Sequence, residues 1–142
     1  LPIFWYNNDD SIFAVGDRAA ASIGPTGELI WEKHFRRVIG AEPVGDGRLA
    51  LVEESADGTM LKIYSSEGEE LAFGVLESKP EGMNAKRGTI CVNTSDIAYF
   101  FNDKCKSISR YEAGSPIKQV CLLDKRQAAV ITDRQVAVIN VY

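Results

Sequence analysis

The 142-residue sequence predicts an all-β fold, and three observations carry that expectation. No segment sustains a helical period of apolar residues. Short apolar runs recur instead, among them Ile12-Phe13-Ala14-Val15, Ile97-Ala98-Tyr99-Phe100-Phe101 and Val136-Ala137-Val138-Ile139. Turn-forming clusters separate them: Asn7-Asn8-Asp9-Asp10, Gly24-Pro25-Thr26-Gly27, Gly45-Asp46-Gly47 and Ala56-Asp57-Gly58. With 45% hydrophobic and 25% charged residues the chain can bury a core, and its length suits one domain.

The strands fall into segments of about 39 residues that share one layout. The first segment reads as strands Ile3–Tyr6, Ile12–Val15, Ala19–Ile23 and Glu28–Phe35. The second opens weakly near Val38–Val44 and continues with Leu49–Glu53, Met60–Tyr64 and Glu70–Val75. A third opens poorly at Gly82–Lys86, then gives Thr89–Asn93, Ile97–Phe101 and Ser107–Tyr111. The last supplies Ile117–Leu123, Gln127–Thr132 and Gln135–Val141. Two markers support the period. Acidic turn residues Asp17, Glu54, Asp96 and Asp133 stand 37, 42 and 37 apart, and the turn at Thr26-Gly27 returns at Glu67-Gly68 and Lys104-Cys105.

Two all-β architectures fit strands of this length, a sandwich and a propeller. A sheet face in water alternates apolar and polar residues. Several middle strands here are apolar nearly throughout, which suits sheets covered on both sides by like neighbours. The preferred fold is therefore a β-propeller of about four blades of four-stranded antiparallel sheet, with approximate boundaries 1–36, 37–75, 76–114 and 115–142 and the last blade incomplete. An open arc of blades would expose apolar faces and the bare edge of Gln135–Val141. A protein partner or a second copy closing the ring is expected, as an alternative to the chain being a piece of a longer propeller. Its start, Leu-Pro-Ile-Phe-Trp, is compatible with processing or excision from a longer chain.

The segment Thr26-Gly27-Glu28-Leu29-Ile30-Trp31 resembles the repeat of the quinoprotein-type (PQQ-like) β-propellers, in which a Thr-Gly turn leads to an outer strand ending in tryptophan. Glu67-Gly68-Glu69-Glu70-Leu71-Ala72-Phe73 resembles it again, with Phe73 near the tryptophan position and one residue added; the likeness fades at Cys105-Lys106-Ser107-Ile108. The resemblance implies a scaffold. Members that bind a quinone use calcium-ligating carboxylates and amides, a stacking tryptophan and often a vicinal disulfide, and no adjacent cysteines occur here. No cofactor is expected. The chain also resembles membrane-anchored extracellular propellers of Gram-positive bacteria, which implies a cell-envelope or extracellular setting.

A formal net charge of −4 argues against nucleic acid as a partner. No run approaches the ~18 to 20 apolar residues of a membrane-spanning helix, so insertion by this segment is not expected. The sequence contains no C-x-x-C pair, and a single histidine excludes His-rich metal chemistry. Cys91 and Cys121 lie in apolar runs and read as buried, whereas Cys105, in a polar turn, reads as the exposed thiol.

Two stretches are candidate interaction surfaces. Phe4, Trp5 and Tyr6 form the strongest aromatic cluster, a candidate contact hot spot, although packing within or between blades is preferred. Lys33, His34, Arg36 and Arg37 form the densest basic stretch; it could grip an acidic group, but solvated charge on an outer strand is the simpler reading. Asn7-Asn8-Asp9-Asp10-Ser11 and Glu67-Gly68-Glu69-Glu70 read as turns rather than metal sites, and Asn93-Thr94-Ser95 matches a glycosylation pattern. No catalytic residues are assigned. The expected function is a non-catalytic propeller module for protein–protein or cell-surface interaction. The alternative is a ligand- or cofactor-binding propeller enzyme whose site is completed by other blades, recognisable by a convergent polar cluster on the ring axis.

Overall fold

A computed structural model describes residues Leu1–Tyr142. Fifteen strands form four antiparallel meanders. The first sheet joins β1 (Ile3–Tyr6), β2 (Ile12–Val15), β3 (Ala19–Ile23) and β4 (Leu29–His34), and the second joins β5 (Arg37–Gly45), β6 (Arg48–Ser55), β7 (Gly58–Tyr64) and β8 (Glu70–Val75). A third contains β9 (Gly82–Lys86), β10 (Thr89–Asn93), β11 (Ile97–Phe101) and β12 (Ser107–Glu112). The fourth has three strands, β13 (Ile117–Leu122), β14 (Gln127–Thr132) and β15 (Val136–Asn140). There is no helix, hence none long and apolar enough to cross a membrane.

The sheets are built alike. In each four-stranded sheet the pairing of third and fourth strands slips once, at Ser22/Ile23, Ile63/Tyr64 and Phe100/Phe101. A bulge there bends the outer strand into a tight turn. In those turns Gly27, Gly68 and Cys105 each donate to the carbonyl three residues back, at 3.0 Å, and have φ of 88°, 87° and 58°. Glycine meets that conformation freely, and Cys105 adopts it against its Cβ.

Each outer strand then folds back on its own sheet before crossing to the next. Phe35 N donates to Arg18 O and Val38 N to Asp17 O; Ala113 N and Ile117 N repeat the pair on Asp96 and Ser95. These bonds place Ser95, rather than Asp96, opposite Asp17, so the acidic turn marker is one residue out of step in the third sheet. The opening strands β5 and β9, weak in sequence, are both paired to their sheets, β5 with register shifts between Val38 and Gly40 and between Pro43 and Gly45, and β5 is the longest strand of the chain.

Sheets stack face to face, and the core consists of three separate clusters, one per junction. Phe13, Val15, Ala20 and Trp31 of the first sheet meet Val38, Ala41, Leu49, Leu51 and Tyr64 of the second. The next cluster packs Ala50, Val52, Leu61 and Ile63 on Ile90, Val92 and Cys105. The last packs Cys91, Ala98 and Phe100 on Val120, Leu122, Ala128 and Val130. The opening strands converge, with β9 lying between β5 and β13. Middle strands such as β6 and β10 thus have both faces covered, which is why they are apolar at successive positions.

Candidate functional site

Strand register sorts every side chain onto one of two blade faces. One face of each blade, here the forward face, packs on the following blade, and the other, the rear face, on the preceding one. The turn hydrogen bonds of Gly16, Thr94 and Thr132 align three of the blades, and the shared bulge aligns the other. The forward face then carries Ala20 and Ser22 in the first blade, Leu61 and Ile63 in the second, Ala98 and Phe100 in the third, and Val136 and Val138 in the fourth. The first three pairs are at most 2% exposed, while Val136 and Val138 are 64% and 60% exposed. The forward flank of the last blade is an uncovered blade face. Ala129, Ile131, Cys121 and Leu123 extend it, and the outer edge of β15 has no partner strand.

The first blade's rear flank is its counterpart. Phe4 pairs with Ala14, the position held by Ala41–Leu51 in the second blade and Val120–Val130 in the fourth, and Tyr6 pairs with Ile12, the position held by Pro43–Leu49 and Leu122–Ala128. Phe4 and Tyr6 are 61% and 72% exposed, where their fourth-blade counterparts Val120 and Leu122 are buried. Ala14, Ala19 and Ala21 leave an open apolar hollow of about 460 Å³ beside Phe4. The Phe4 and Tyr6 rings meet edge to face at 5.7 Å.

The aromatic cluster of the sequence is therefore split. Trp5 points forward and packs against the first core cluster, as expected, but packing within the blades does not hold for Phe4 and Tyr6. Alternation along β1 sends them to the flank that no blade covers. The basic stretch does not form one patch either. Lys33 lies over the Tyr64 ring at 5.3 Å, His34 faces Glu32 at 3.4 Å, Arg37 reaches Glu54 at 3.8 Å, and Arg36 is solvated.

The thiols reverse the expectation for two of three cysteines. Cys91 is buried as read, Cys105 is buried, and Cys121 is exposed. Cys105 occupies the glycine position of its turn, and that turn rests on the outer strand of the preceding blade. There a Cβ on Gly74 would approach Cys105 O to 2.9 Å. Cys121 lies on the forward flank, in an apolar run whose cover is missing. Burial pushes the Cys91 and Cys105 thiols up to about 12.

The Gly68 turn rests on Trp31 in the same way; a Cβ there would stand 2.8 Å from Trp31 Cγ. Strand register also corrects the assignment of Phe73. Trp31 pairs with Ser22 and its structural counterpart Ala72 with Ile63, with no residue added, whereas Phe73 faces Lys62 and is exposed. Trp31 Nε1 is buried without a hydrogen-bond partner.

Convergent polar groups are few. No three His, Cys, Asp or Glu side chains gather into a metal-holding group. On the inner strand β5, Glu42 is half-buried, and desolvation raises its carboxyl to about 7. At the corresponding position of β9, the Asn84 carboxamide oxygen accepts from Leu122 N across the junction at 2.8 Å. Lys62 bridges Glu53 at 2.7 Å and Glu70 at 3.1 Å. Burial opposes the Lys62 charge, yet the hydrogen bonds the ammonium donates to these carboxylates outweigh it and hold the ammonium above its ordinary range. In the Asn7–Ser11 loop Asp9 accepts from Ser11 N at 3.0 Å, as a turn does. Asn93 of the glycosylation pattern is buried and donates to Thr94 O at 2.9 Å.

No protein-family model matches the chain, and no curated protein matches it in sequence. Solved structures do match in shape. The Pan2 WD40 domain of Neurospora crassa superposes with a TM-score of 0.73 at 13% identity, over 99% of this chain and 48% of that one. BamB from Moraxella catarrhalis gives 0.68 at 14%, over 99% and 44%. BBS1N, solved in complex with ARL6DN, gives 0.72 at 15%, over 99% and 50%. The chain spans about half the length of these β-propeller chains. Four stacked meanders, a three-stranded last sheet and propeller neighbours establish the fold: the chain is β-propeller-like, with four blades of which the last is incomplete.

Proposed function

We propose that this chain is a non-catalytic interaction module, working as part of a β-propeller through the flanks of its end blades. The observation that carries the reading is the exposure of Val136 and Val138 at positions that are buried in the other three blades. Contiguous exposed apolar surface on a folded domain marks an interaction site. Phe4 and Tyr6 form the opposite flank and belong to the binding surface, while Lys33, His34, Arg36 and Arg37 lie outside it. In support, BBS1N was solved in complex with another protein, ARL6DN.

The test is quantitative recovery of bound protein on three immobilised baits: the native chain, a Val136→Glu/Val138→Glu flank variant, and a His34→Ala/Arg36→Ala edge variant. Specific protein recovered on the native bait falls at least tenfold on the flank variant and is retained on the edge variant. Equal recovery on all three, or loss only on the edge variant, overturns the reading.

A further inference from the structure

We infer that the outer edge of β8 is a docking strand: an extended segment of another protein, apolar at alternate residues and flanked by lysine or arginine, adds to it as a fifth strand of the second blade. This edge lies on the rim of an inner blade with a neighbour on either side, so it owes nothing to where the chain begins or ends. It goes beyond the flank reading and is independent of it.

The outer strands of the first three blades correspond residue by residue. Phe35, Leu76 and Ala113 donate to Arg18, Thr59 and Asp96 of the adjoining strand, and counting back from them aligns Ile30, Leu71 and Ile108 at the bulges. Two residues on stand Glu32, Phe73 and Arg110, and two further His34, Val75 and Glu112. In the first and third blades these positions hold ion pairs, Glu32 with His34 and Arg110 with Glu112. Charge of that kind blunts an edge against pairing. The second blade has none there. Phe73 and Val75 are 58% and 66% exposed and continue from the exposed Leu71 as one apolar stripe.

The backbone is free at the same residues. β8 is the last strand of its sheet. Leu76 N donates to Thr59 O, and hydrogen-bonded residues alternate along an antiparallel ladder. Ala72 and Gly74 therefore turn their backbone groups toward β7, and Phe73 and Val75 turn theirs outward. Strand addition uses this combination: main-chain hydrogen bonds supply affinity, and alternate side chains supply specificity.

Charge identifies the occupant. Glu67 and Glu69 precede the stripe, Glu77 follows it, and none of them has an ion-pair partner. Lys104 and Lys106 belong to the turn that leans on Gly74, on the strand's other side. A second copy fits badly. Antiparallel pairing centred on Phe73, which alone matches all three apolar residues, brings Glu69 of each copy against Glu77 of the other, and like charges opposed across strands are destabilising. A segment with basic residues at both ends meets the carboxylates instead.

The probe is a fluorescent synthetic peptide, Lys-Lys-Val-Thr-Val-Thr-Val-Lys-Lys, added to the purified chain and followed by anisotropy. It binds saturably, one per chain, and the amides of Phe73 and Val75 gain hydrogen-exchange protection. Phe73→Glu/Val75→His, which gives the second blade the edge residues of the first, weakens binding about tenfold or more with an unchanged circular-dichroism signal. Val136→Glu/Val138→Glu leaves it unaltered. N-methylation of either the Val or the Thr residues, not of both sets alike, abolishes binding, because only one set faces β8. Replacing the Lys residues by Glu weakens it. No binding at ~1 mM peptide, binding indifferent to the β8 variant or to the sign of the flanking charge, or an equal response to the two methylations overturns the inference. So does protection of Phe73 and Val75 without peptide, whether lost on dilution (a second copy) or kept (another segment of the same chain). Each of these failures leaves the flank reading standing, since that reading is tested at Val136 and Val138.

Discussion

Gly68→Ala tests the way one blade sits on the next. Gly68 has a φ of 87°, and its missing Cβ would stand 2.8 Å from Trp31 Cγ and 3.0 Å from Trp31 Cβ. Gly27 has nearly the same φ, 88°, but a Cβ there meets nothing within 4 Å. Both substitutions carry the left-handed backbone penalty of about 1–2 kcal/mol. Only Gly68→Ala adds overpacking against a buried indole, about 1–3 kcal/mol more. Gly27→Ala should thus cost about 1–2 kcal/mol and Gly68→Ala about 2–5 kcal/mol. Urea unfolding followed by circular dichroism, at matched protein concentration, measures both. Trp31→Ala, itself costly, removes Cγ and so relieves part of the clash. The double variant should be less destabilised than the two singles summed, by roughly 1 kcal/mol. Equal losses at Gly27 and Gly68, together with an additive double variant, would refute the packing of the turn on Trp31.

Three further outcomes are expected. Lys62→Met leaves Glu53, only 6% exposed, without its cation, and should cost about 3 kcal/mol in urea unfolding; adding Glu53→Gln should recover part of that loss. Glu42 has a folded carboxyl raised to about 7 from 4.5 by desolvation, so the native state holds a proton that the unfolded chain has released. The stability from that proton is present below about pH 4.5 and lost as pH rises through 7. Because Glu42 is partly solvated, the advantage of Glu42→Gln over the native chain should grow by only about 1 kcal/mol between pH 4.5 and 8, and thermal melts across that range measure it. Finally, a thiol reagent at pH 8 should modify no cysteine other than Cys121 in the folded protein and all three in denaturant; reaction at Cys91 or Cys105 would contradict their burial.

The meander plan was legible because its signals are local. Turn clusters and uninterrupted apolar runs mark strands such as β2, β10 and β14, and the Gly27–Gly68–Cys105 register follows from a backbone requirement that recurs with the fold. Blade faces were harder. Phe4 and Tyr6 differ from Trp5 only by alternation along β1, and whether a face is covered depends on a neighbour some 40 residues away. Cys105 and Cys121 were misplaced for the same reason. A polar turn can be roofed by the adjoining sheet, and an apolar run can lie where no sheet adjoins. Phe73 read as a tryptophan equivalent by composition, and the bulge at Ile63/Tyr64 shows that Ala72 holds that place.

The division of the core into three clusters, each shared by two consecutive blades and none reaching further, has a mechanical consequence. Cohesion runs only between nearest neighbours, as in a stack of plates. The inner two blades are clamped on both sides, while the outermost pair are gripped on one, and the fourth has a strand fewer to hold it. Amide protons of β14 and β15 in an isolated arc should therefore exchange earlier than those of β6 and β10, opening from the ends inward.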